Sequence, residues 1–528
     1  GTFHSLGAKI LREEIECLGY KKNFVIYDED DSSSLAKDII SEMNLSRDRF
    51  KPGSFLNLVS KIKSELTDLK SLDSGDFYKN QFANFYNIYS RRLKASNAVD
   101  FDDLITLPVK IYESRPEILK KYQNQYKYIL VDEYQDTNRA QYVLINLLAR
   151  KNKNIFAIGD PDQAIYGWRH ADFRNILNFE KDYPEAKVVK LEQNYRSSQN
   201  ILSAAHEIIS KNVERKEKTL WTENPAGAMI EVIETNNERA EAEFILDKII
   251  DLNKTGLSID KMVVMYRTNA QSRVLEEACL YANLPYRVIG AVKFYQRKEI
   301  KDILAYLRII QNQNDEVSLK RITGILGKRL LQSFMVDFLD FRKQTENLKP
   351  AELIKSIIKK TNYYSYLEKK FPDFSPDGEL ESESRIKNIK ELIGLAGMHD
   401  NLSSFLTEVA LMQQERGADN SKKLNLMTLH SAKGLEFDAV FIAGAEENLM
   451  PHSRAAYSLE ELEEERRLCY VGMTRAKKHL WLLFAKQRFL WGERKETIPS
   501  RFIMELPQHL VNFRSLADGY NLPEVELD

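Results

Sequence analysis

Tyr126-Lys127-Tyr128-Ile129-Leu130-Val131-Asp132-Glu133-Tyr134-Gln135-Asp136-Thr137-Asn138 is the stretch from which the rest of the chain is read. The apolar run Tyr128–Val131 predicts a fully buried strand, and it ends in two adjacent carboxylates. In open α/β sheets, ligands gather just beyond the carboxyl ends of the strands. At such a place an aspartate can hold Mg²⁺ beside phosphates, while a neighbouring carboxylate orients or deprotonates the attacking water. Taken alone, an Asp-Glu pair is more often an acidic turn facing solvent. The surrounding sequence has to decide.

With 528 residues the chain should hold several domains, at roughly 150 residues each. A hydrophobic fraction of 43% is ample for real cores, and a net charge of −1 announces no global field for nucleic acid. A local basic groove is compatible with that average. Cys17, Cys279 and Cys469 are far apart, without metal-ligand spacing, and read as reduced and cytoplasmic. No apolar run approaches the ~18 residues of a membrane helix, and the start is unlike a secretory leader. No membrane partner is expected.

From about Leu6 to Lys121 apolar and charged residues alternate at helical spacing, broken by turns such as Lys51-Pro52-Gly53-Ser54. Strands follow at Tyr128–Val131, at Ile155–Ile158 (running into Gly159-Asp160-Pro161-Asp162) and at Val188–Leu191. Strands separated by helical patterns argue for parallel βαβ layering. A second block opens at Met229–Glu234 and Met262–Arg267. It turns helical from about Phe294 to Gly417, around a loop at Phe371–Gly378. Strands return at Leu424–His430, Ala439–Gly444 and His479–Phe484. The expected fold class is α/β, two parallel-sheet lobes each with a helical insertion. The expected boundaries are 1–125 for the first insertion and 126–189 for the rest of the first lobe. The second lobe takes 190–289 and 423–510, its insertion 290–422, and a tail 511–528.

Four further segments carry chemistry. In Gly159–Arg169, Gln163 lies just past a strand end, where it can touch a γ-phosphate or a water. Tyr166, Trp168 and Arg169 put two rings and a cation within four positions, the chemistry of single-strand binding. A core role for Trp168 is the alternative. In Asn194-Tyr195-Arg196-Ser197, Tyr195 can stack on a nucleobase and Arg196 can act as an arginine finger or make an ordinary salt bridge. In Thr428–Phe437, small residues allow close approach to a phosphate and Glu436 can accept a ribose hydroxyl. Glu463–Ala476 reads as a helix with a solvated acidic face, and Arg475 at its end is a candidate second finger.

In this order, these segments make the chain closely resemble the UvrD/Rep/PcrA family of superfamily-one DNA helicases, across essentially its whole length. Gly1-Thr2-Phe3-His4-Ser5, Tyr266-Arg267-Thr268-Asn269-Ala270-Gln271-Ser272-Arg273 and Tyr470-Val471-Gly472-Met473-Thr474-Arg475-Ala476 complete the set. The resemblance implies two RecA-like lobes of P-loop NTPase type with ATP in the cleft between them. It also implies single-stranded DNA across the top and 3′→5′ translocation. By the same resemblance Asp132 would hold Mg²⁺, Glu133 activate water and Gln163 sense the γ-phosphate. Arg196 and Arg475 would clamp that phosphate, Tyr195 stack on adenine and Glu436 contact the ribose. Tyr166, Trp168 and Arg169 look like the base-stacking ratchet, with Thr2, His4, Arg267, Asn269, Thr428 and His430 as further DNA-track candidates. The implied cofactors are ATP and Mg²⁺. The implied partners are single-stranded DNA, ss/ds junctions, and proteins of DNA repair or replication.

One departure is large. No Gly-x-x-x-x-Gly-Lys-Ser/Thr stretch occurs in the chain; the nearest, Gly324-Ile325-Leu326-Gly327-Lys328-Arg329, lacks the Ser/Thr. That segment loosely resembles instead the glycine hairpin with which the family touches duplex backbone. The expectation is therefore an N-terminally truncated chain with an incomplete first lobe and poor ATP hydrolysis of its own. Two other classes compete: a DNA-binding scaffold whose ATPase is lost, and the helicase subunit of a helicase–nuclease. The last would need a nuclease domain that these residues do not supply.

Overall fold

The computed structural model describes residues 1–46, 50–69, 77–290, 292–312, 315, 317–327, 348–372, 380–413, 422–490 and 493–516. The chain divides into two compact units, Gly1–Val189 with Lys369–Phe374, and Lys190–Glu368 with Ser375–Asp528.

The first unit runs α1 (Phe3–Glu14), β1 (Val25–Ile26), α2 (Glu29–Glu42), α3 (Pro52–Glu65), α4 (Phe77–Ala95), β2 (Ala98–Val99), α5 (Asp103–Ser114), α6 (Pro116–Gln125), β3 (Ile129–Val131), α7 (Arg139–Ala149) and β4 (Ile155–Ala157). Its helices start where local chemistry dictates. Asp28 with Asp31, and Asn138 with Gln141, form reciprocal capping boxes at α2 and α7. Pro52 opens α3, where a missing N–H costs nothing. Ile10, Leu11, Leu104, Val109 and Leu144 build one core, and Ile39, Phe55, Phe82, Phe85 and Tyr89 a second.

Strands β3 and β4 pair in parallel, Ile129 with Ile155 and Val131 with Ala157. One face of the pair packs on Tyr134, Ile145, Ile176 and Phe179. The strand expected to be fully buried is buried on that face only: Tyr128 and Leu130 are each 75% exposed. Val188–Leu191, expected as a strand, pairs with no strand among the described residues and has no regular structure, with Leu191 82% exposed. A strand needs a neighbour for its backbone groups as well as a propensity.

The second unit runs α8 (Gln199–Ile209), β5 (Ile230–Thr235), α9 (Glu238–Lys254), β6 (Met262–Tyr266), α10 (Ser272–Tyr281), β7 (Tyr286–Ile289) and α11 (Lys298–Gln311). Then come α12 (Pro350–Thr361), α13 (Tyr363–Lys370), α14 (Glu381–Ala396), α15 (Leu402–Gln413), β8 (Leu424–Thr428), β9 (Phe437–Ile442), α16 (Leu459–Met473), β10 (Ala476–Ala485), β11 (Gln487–Leu490), β12 (Glu493–Glu496) and β13 (Val511–Ser515). Seven strands form one sheet in the order β13-β5-β10-β9-β6-β8-β7, and every pairing is parallel. Such a sheet is covered on both faces, which is why Met262–Tyr266 and Leu424–Thr428 are buried throughout. Phe441 and Trp481 stack at 4.4 Å in its core.

Two of these strands differ from expectation. β7 was not anticipated, and Val511–Ser515, expected to begin a tail, is instead an edge strand on β5. Its Asn512, Arg514 and Ser515 leave too little apolar pattern to announce a strand, and edge strands tolerate polar residues. Between β7 and β8 in the chain lie the helices α11–α15. Residues 328–329 of the glycine-containing segment, 373–378 of the expected loop and 517–528 of the expected tail lie outside the described residues. Among the described residues no helix is long and apolar enough to cross a membrane, and the three cysteines are unbridged.

Helices α1 and α5 touch so closely that a Cβ on Gly7 would lie 1.8 Å from the Leu104 carbonyl oxygen. Gly7→Ala should therefore destabilise the first unit by about 1–3 kcal/mol, the usual cost of overpacking. Gly324→Ala meets open space and should not. Denaturant midpoints of the two variants, compared with the parent, check this.

Candidate functional site

In the first unit β3 ends at Val131 and the chain turns sharply, bringing Asp132 and Glu133 to the surface. Glu133 lies in the left-handed region at φ 50°, ψ 44°. A non-glycine residue held there costs on the order of 1–3 kcal/mol and persists only where its surroundings fix it. Here they do. The Glu133 N–H donates to Asp132 Oδ1 at 2.9 Å, and the Gln135 amide donates to Glu133 Oε2 at 2.5 Å. Gln135 is fully buried, and its Oε1 accepts the backbone N–H of Asp160, just past β4, at 3.0 Å. Asp160 in turn accepts from the Gln163 amide at 2.8 Å. Glu133, Gln135, Asp160 and Gln163 thus form one bonded chain across two strand-end loops. Gly159 makes room for it, since a Cβ there would lie 2.4 Å from Gln135 Oε1.

No group of three or more His, Cys, Asp or Glu among the described residues is arranged to hold a metal. Mg²⁺ does not demand one: it keeps several waters and takes one or two carboxylates together with substrate phosphates. The exposed Asp132–Glu133 pair fits that donor set.

Past Gln163 the chain presents Tyr166 and Trp168 edge to face, with centroids 6.3 Å apart. The Arg169 guanidinium lies 4.5 Å from the Trp168 ring centroid and 5.7 Å from that of Tyr166. Trp168 is half-buried, and its buried indole N–H has no hydrogen-bond partner among the described residues. Thr2 caps α1 by accepting the Ser5 N–H. His4, whose pKa is lowered by burial, stacks on Phe101 at 3.8 Å with an interplanar angle of 23°. Phe101 is 59% exposed and was not singled out from the sequence. Its only signal there is a large aromatic set among three aspartates, Asp100, Asp102 and Asp103.

In the second unit Tyr195 is 80% exposed, with its hydroxyl donating to Gln193. Arg196 donates to Glu436 Oε2 at 2.8 Å and to the Thr474 carbonyl at 3.4 Å. Lys477, which the sequence reading missed, places its ammonium 2.6 Å from the other Glu436 oxygen. Hydrogen bonds from Lys477 first, and Arg196 second, pull the Glu436 carboxyl down to about 2. Arg475 is buried, donating to the Val471 carbonyl and the Thr474 hydroxyl. The structure therefore gathers Arg196, Glu436 and Lys477 directly, with Arg475 next in chain to the Thr474 that Arg196 touches.

One expectation needs correction, and several of the site candidates lie in the interior. Arg267 is buried, and Glu465 takes its Nε and Nη2, the closest contact being 2.8 Å. In this structure it makes an internal ion pair. The acidic stretch opening Glu463–Ala476 is not a solvated face, because Glu463 and Glu465 point inward to Arg467 and Arg267. Thr428 and His430 are buried, with Thr428 bonded to Ser431, and Asn269 is half-buried with its carbonyl accepting from Arg297.

Comparison with known proteins adds an independent line. Residues 1–184 match the family of UvrD/REP helicase N-terminal domains, and residues 189–487 the family of UvrD-like helicase C-terminal domains. A protein named ATP-dependent DNA helicase PcrA from Staphylococcus epidermidis is 41% identical over 561 aligned residues, covering 97% of this chain and 76% of its own. Its Staphylococcus aureus namesake is 41% identical over 565, with the same coverage. A solved C-terminal domain of a possible DNA helicase from Lactobacillus plantarum overlaps 61% of this chain and 98% of its own, at 14% identity and a TM-score of 0.27. That likeness is too low to bear on the fold.

Because its pKa is depressed, Glu436 contributes ion-pair stability that is full above the ordinary carboxylate range of about 4.3 and lost as pH falls toward about 2. The pair is half exposed, so solvent screens it and the effect is small. The difference in denaturant midpoint between the parent and Glu436→Gln should be the same at pH 8, 7, 6 and 5. A difference that shrinks between pH 8 and 6 would mean that this carboxyl titrates near neutrality.

Proposed function

Because the chain belongs to the UvrD-like family of DNA helicases, we propose that it is the core of an ATP-dependent motor. It moves 3′→5′ along single-stranded DNA and opens ss/ds junctions during DNA repair or replication, in the cytoplasm. The observation that carries this reading is the bonded chain from Glu133 through Gln135 and Asp160 to Gln163. It links a carboxylate able to take a proton from water with an amide able to sense a phosphate, as nucleoside triphosphate hydrolysis requires.

The residues divide the work. Asp132 and Glu133 are the carboxylates that would hold Mg²⁺ and the attacking water; bound Mg²⁺ would offset phosphate charge. In the second unit Tyr195 offers an exposed ring to the adenine and Glu436 an ionised acceptor to the ribose hydroxyls. Arg196 and Arg475 supply cations for the γ-phosphate. Arg196 rests on Glu436 in this structure. A nucleotide engaging Glu436 through its sugar would release that guanidinium toward its phosphates.

For DNA, Tyr166, Trp168 and Arg169 form one stacking group, and His4 with Phe101 a second, with Thr2 beside it. Asn269, Thr428 and His430 follow the carboxyl ends of the adjacent strands β6 and β8, where backbone and short side chains can line a strand of nucleic acid. Arg267 follows β6 at the same strand ends and is paired with Glu465 in this structure.

A second reading has one fact in its favour: the 528 residues contain no Gly-x-x-x-x-Gly-Lys-Ser/Thr stretch. Such a loop cradles the β- and γ-phosphates with its amides and lysine. A polypeptide of these residues alone should therefore bind DNA and turn over MgATP no faster than its Glu133→Gln variant, with or without oligo-dT. Robust oligo-dT-stimulated hydrolysis that Glu133→Gln abolishes would show that phosphate is held by other groups of this chain. Phe101→Ala and Trp168→Ala should each weaken oligo-dT binding by about 1–3 kcal/mol, the usual worth of one base stacked on an aromatic ring. Fluorescence anisotropy measures that without any ATP turnover.

A further inference from the structure

Lys63 lies near the end of α3 with its side chain 5% exposed. Its ammonium is 2.6 Å from Asp100 Oδ2 and 2.7 Å from Asp103 Oδ1. The Tyr89 hydroxyl also donates to Asp100, at 3.2 Å. Burial works against the charge on Lys63, but the two carboxylates outweigh it and hold the ammonium protonated. The aspartates also bind each other's backbone. The Asp103 N–H donates to Asp100 Oδ1 at 2.9 Å, and the Asp100 N–H to Asp103 Oδ2 at 3.2 Å. Residues 100–103 are thus closed into a turn and pinned from the interior by one lysine. Phe101, in the middle of the turn, is turned outward onto His4.

Stability alone does not account for this cluster. Taking an ammonium and two carboxylates out of water is costly, and apolar replacements of buried ion clusters are often neutral or stabilising. Starting α5 requires only an Asp cap. What the cluster adds is a single, fixed geometry for the turn.

We infer that Lys63 is a positioning residue for single-stranded DNA: by pinning Asp100 and Asp103 it fixes the turn that presents the Phe101–His4 ring pair as a platform for one base. The inference rests on the DNA reading of that ring pair given above. Lys63 touches no base itself. It acts through Phe101, and its removal should matter only while Phe101 is present.

The test uses the full 528-residue chain and fluorescein-labelled oligo-dT, read by anisotropy. Lys63→Met should raise Kd about fivefold or more, close to the effect of Phe101→Ala, which loses one stacked base. The double variant Lys63→Met/Phe101→Ala should bind no more weakly than Phe101→Ala alone, whereas Lys63→Met and Trp168→Ala should add. In the NMR spectrum, the ring-current shift that Phe101 imposes on the His4 imidazole protons should fall in Lys63→Met. If Lys63→Met does not fold, Lys63→Met/Asp103→Asn removes one charge of each sign and keeps an acceptor for the Asp100 N–H; the same pattern is expected. Parent-like Kd for the folded lysine variant, with Phe101→Ala still weak, overturns the inference and leaves the DNA reading standing. Full additivity with Phe101→Ala overturns it too, because Lys63 would then act elsewhere. Parent-like binding by both Phe101→Ala and His4→Ala removes the DNA reading of the ring pair, and the inference with it.

Discussion

Two parallel strands that end side by side leave their following loops with unsatisfied backbone groups and no fixed relation to each other. In the first unit one buried amide settles that relation. Gln135 gives a hydrogen to Glu133 and takes one from the Asp160 backbone. Only an amide can do both in one plane: a glutamate would set a second anion against Glu133, and a leucine would leave a buried N–H without a partner, at about 1–3 kcal/mol. The left-handed backbone of Glu133 persists because this bond, and that to Asp132, offset its strain. The Glu133 carboxylate is thus oriented by a side chain that is itself fully buried.

The second unit solves the corresponding problem with ions. Arg488, on β11, binds both Glu446 and Glu241, with contacts of 2.6 and 2.8 Å. Arg273 binds Glu277 on its own helix and Glu391 on α14, so one guanidinium ties the helical insertion to the lobe that carries it. Two carboxylates sharing one buried cation leave a surplus of negative charge. Burial first, with Glu446 adding to it, pushes the Glu241 carboxyl up to about 7, although Arg488 opposes the shift. Such clusters add little net stability but strongly disfavour alternatives in which a partner is missing. They suit a region where several loops must meet in one arrangement.

What could be read from the sequence follows from how local each feature is. Met262–Tyr266 and Leu424–Thr428 are strands in their own composition, and the sheet buries them as that composition requires. The motif residues at strand ends were legible because strand and chemistry are contiguous: Asp132 and Glu133 follow β3 directly, and Gln163 follows β4 within six residues. β13 was not legible, because an edge strand of Val-Asn-Phe-Arg-Ser depends on β5, some 280 residues away, to exist at all. The acidic start of α16 was misjudged for the same reason. Glu465, on a helix, is an interior residue only because Arg267 arrives from the end of β6. Lys477 and Phe101 gain significance from Glu436 and His4, partners that no spacing rule connects to them.

Exposure separates the ion pairs that can serve as switches from those that cannot. Arg267–Glu465 and Arg488–Glu446 are buried on both sides, and breaking either would strand a charge in the interior. Arg196–Glu436 is different: its side chains are 30% and 46% exposed, so water can take up either partner as the pair opens. A surface pair of this kind is worth about 0–1 kcal/mol, which one or two hydrogen bonds from another polar group would match. Lys477 on the second carboxylate oxygen keeps Glu436 ionised and oriented when Arg196 leaves. The guanidinium is therefore held weakly by a group that has another cation to keep it. Those are the physical conditions under which an ion pair can exchange one partner for another at little cost.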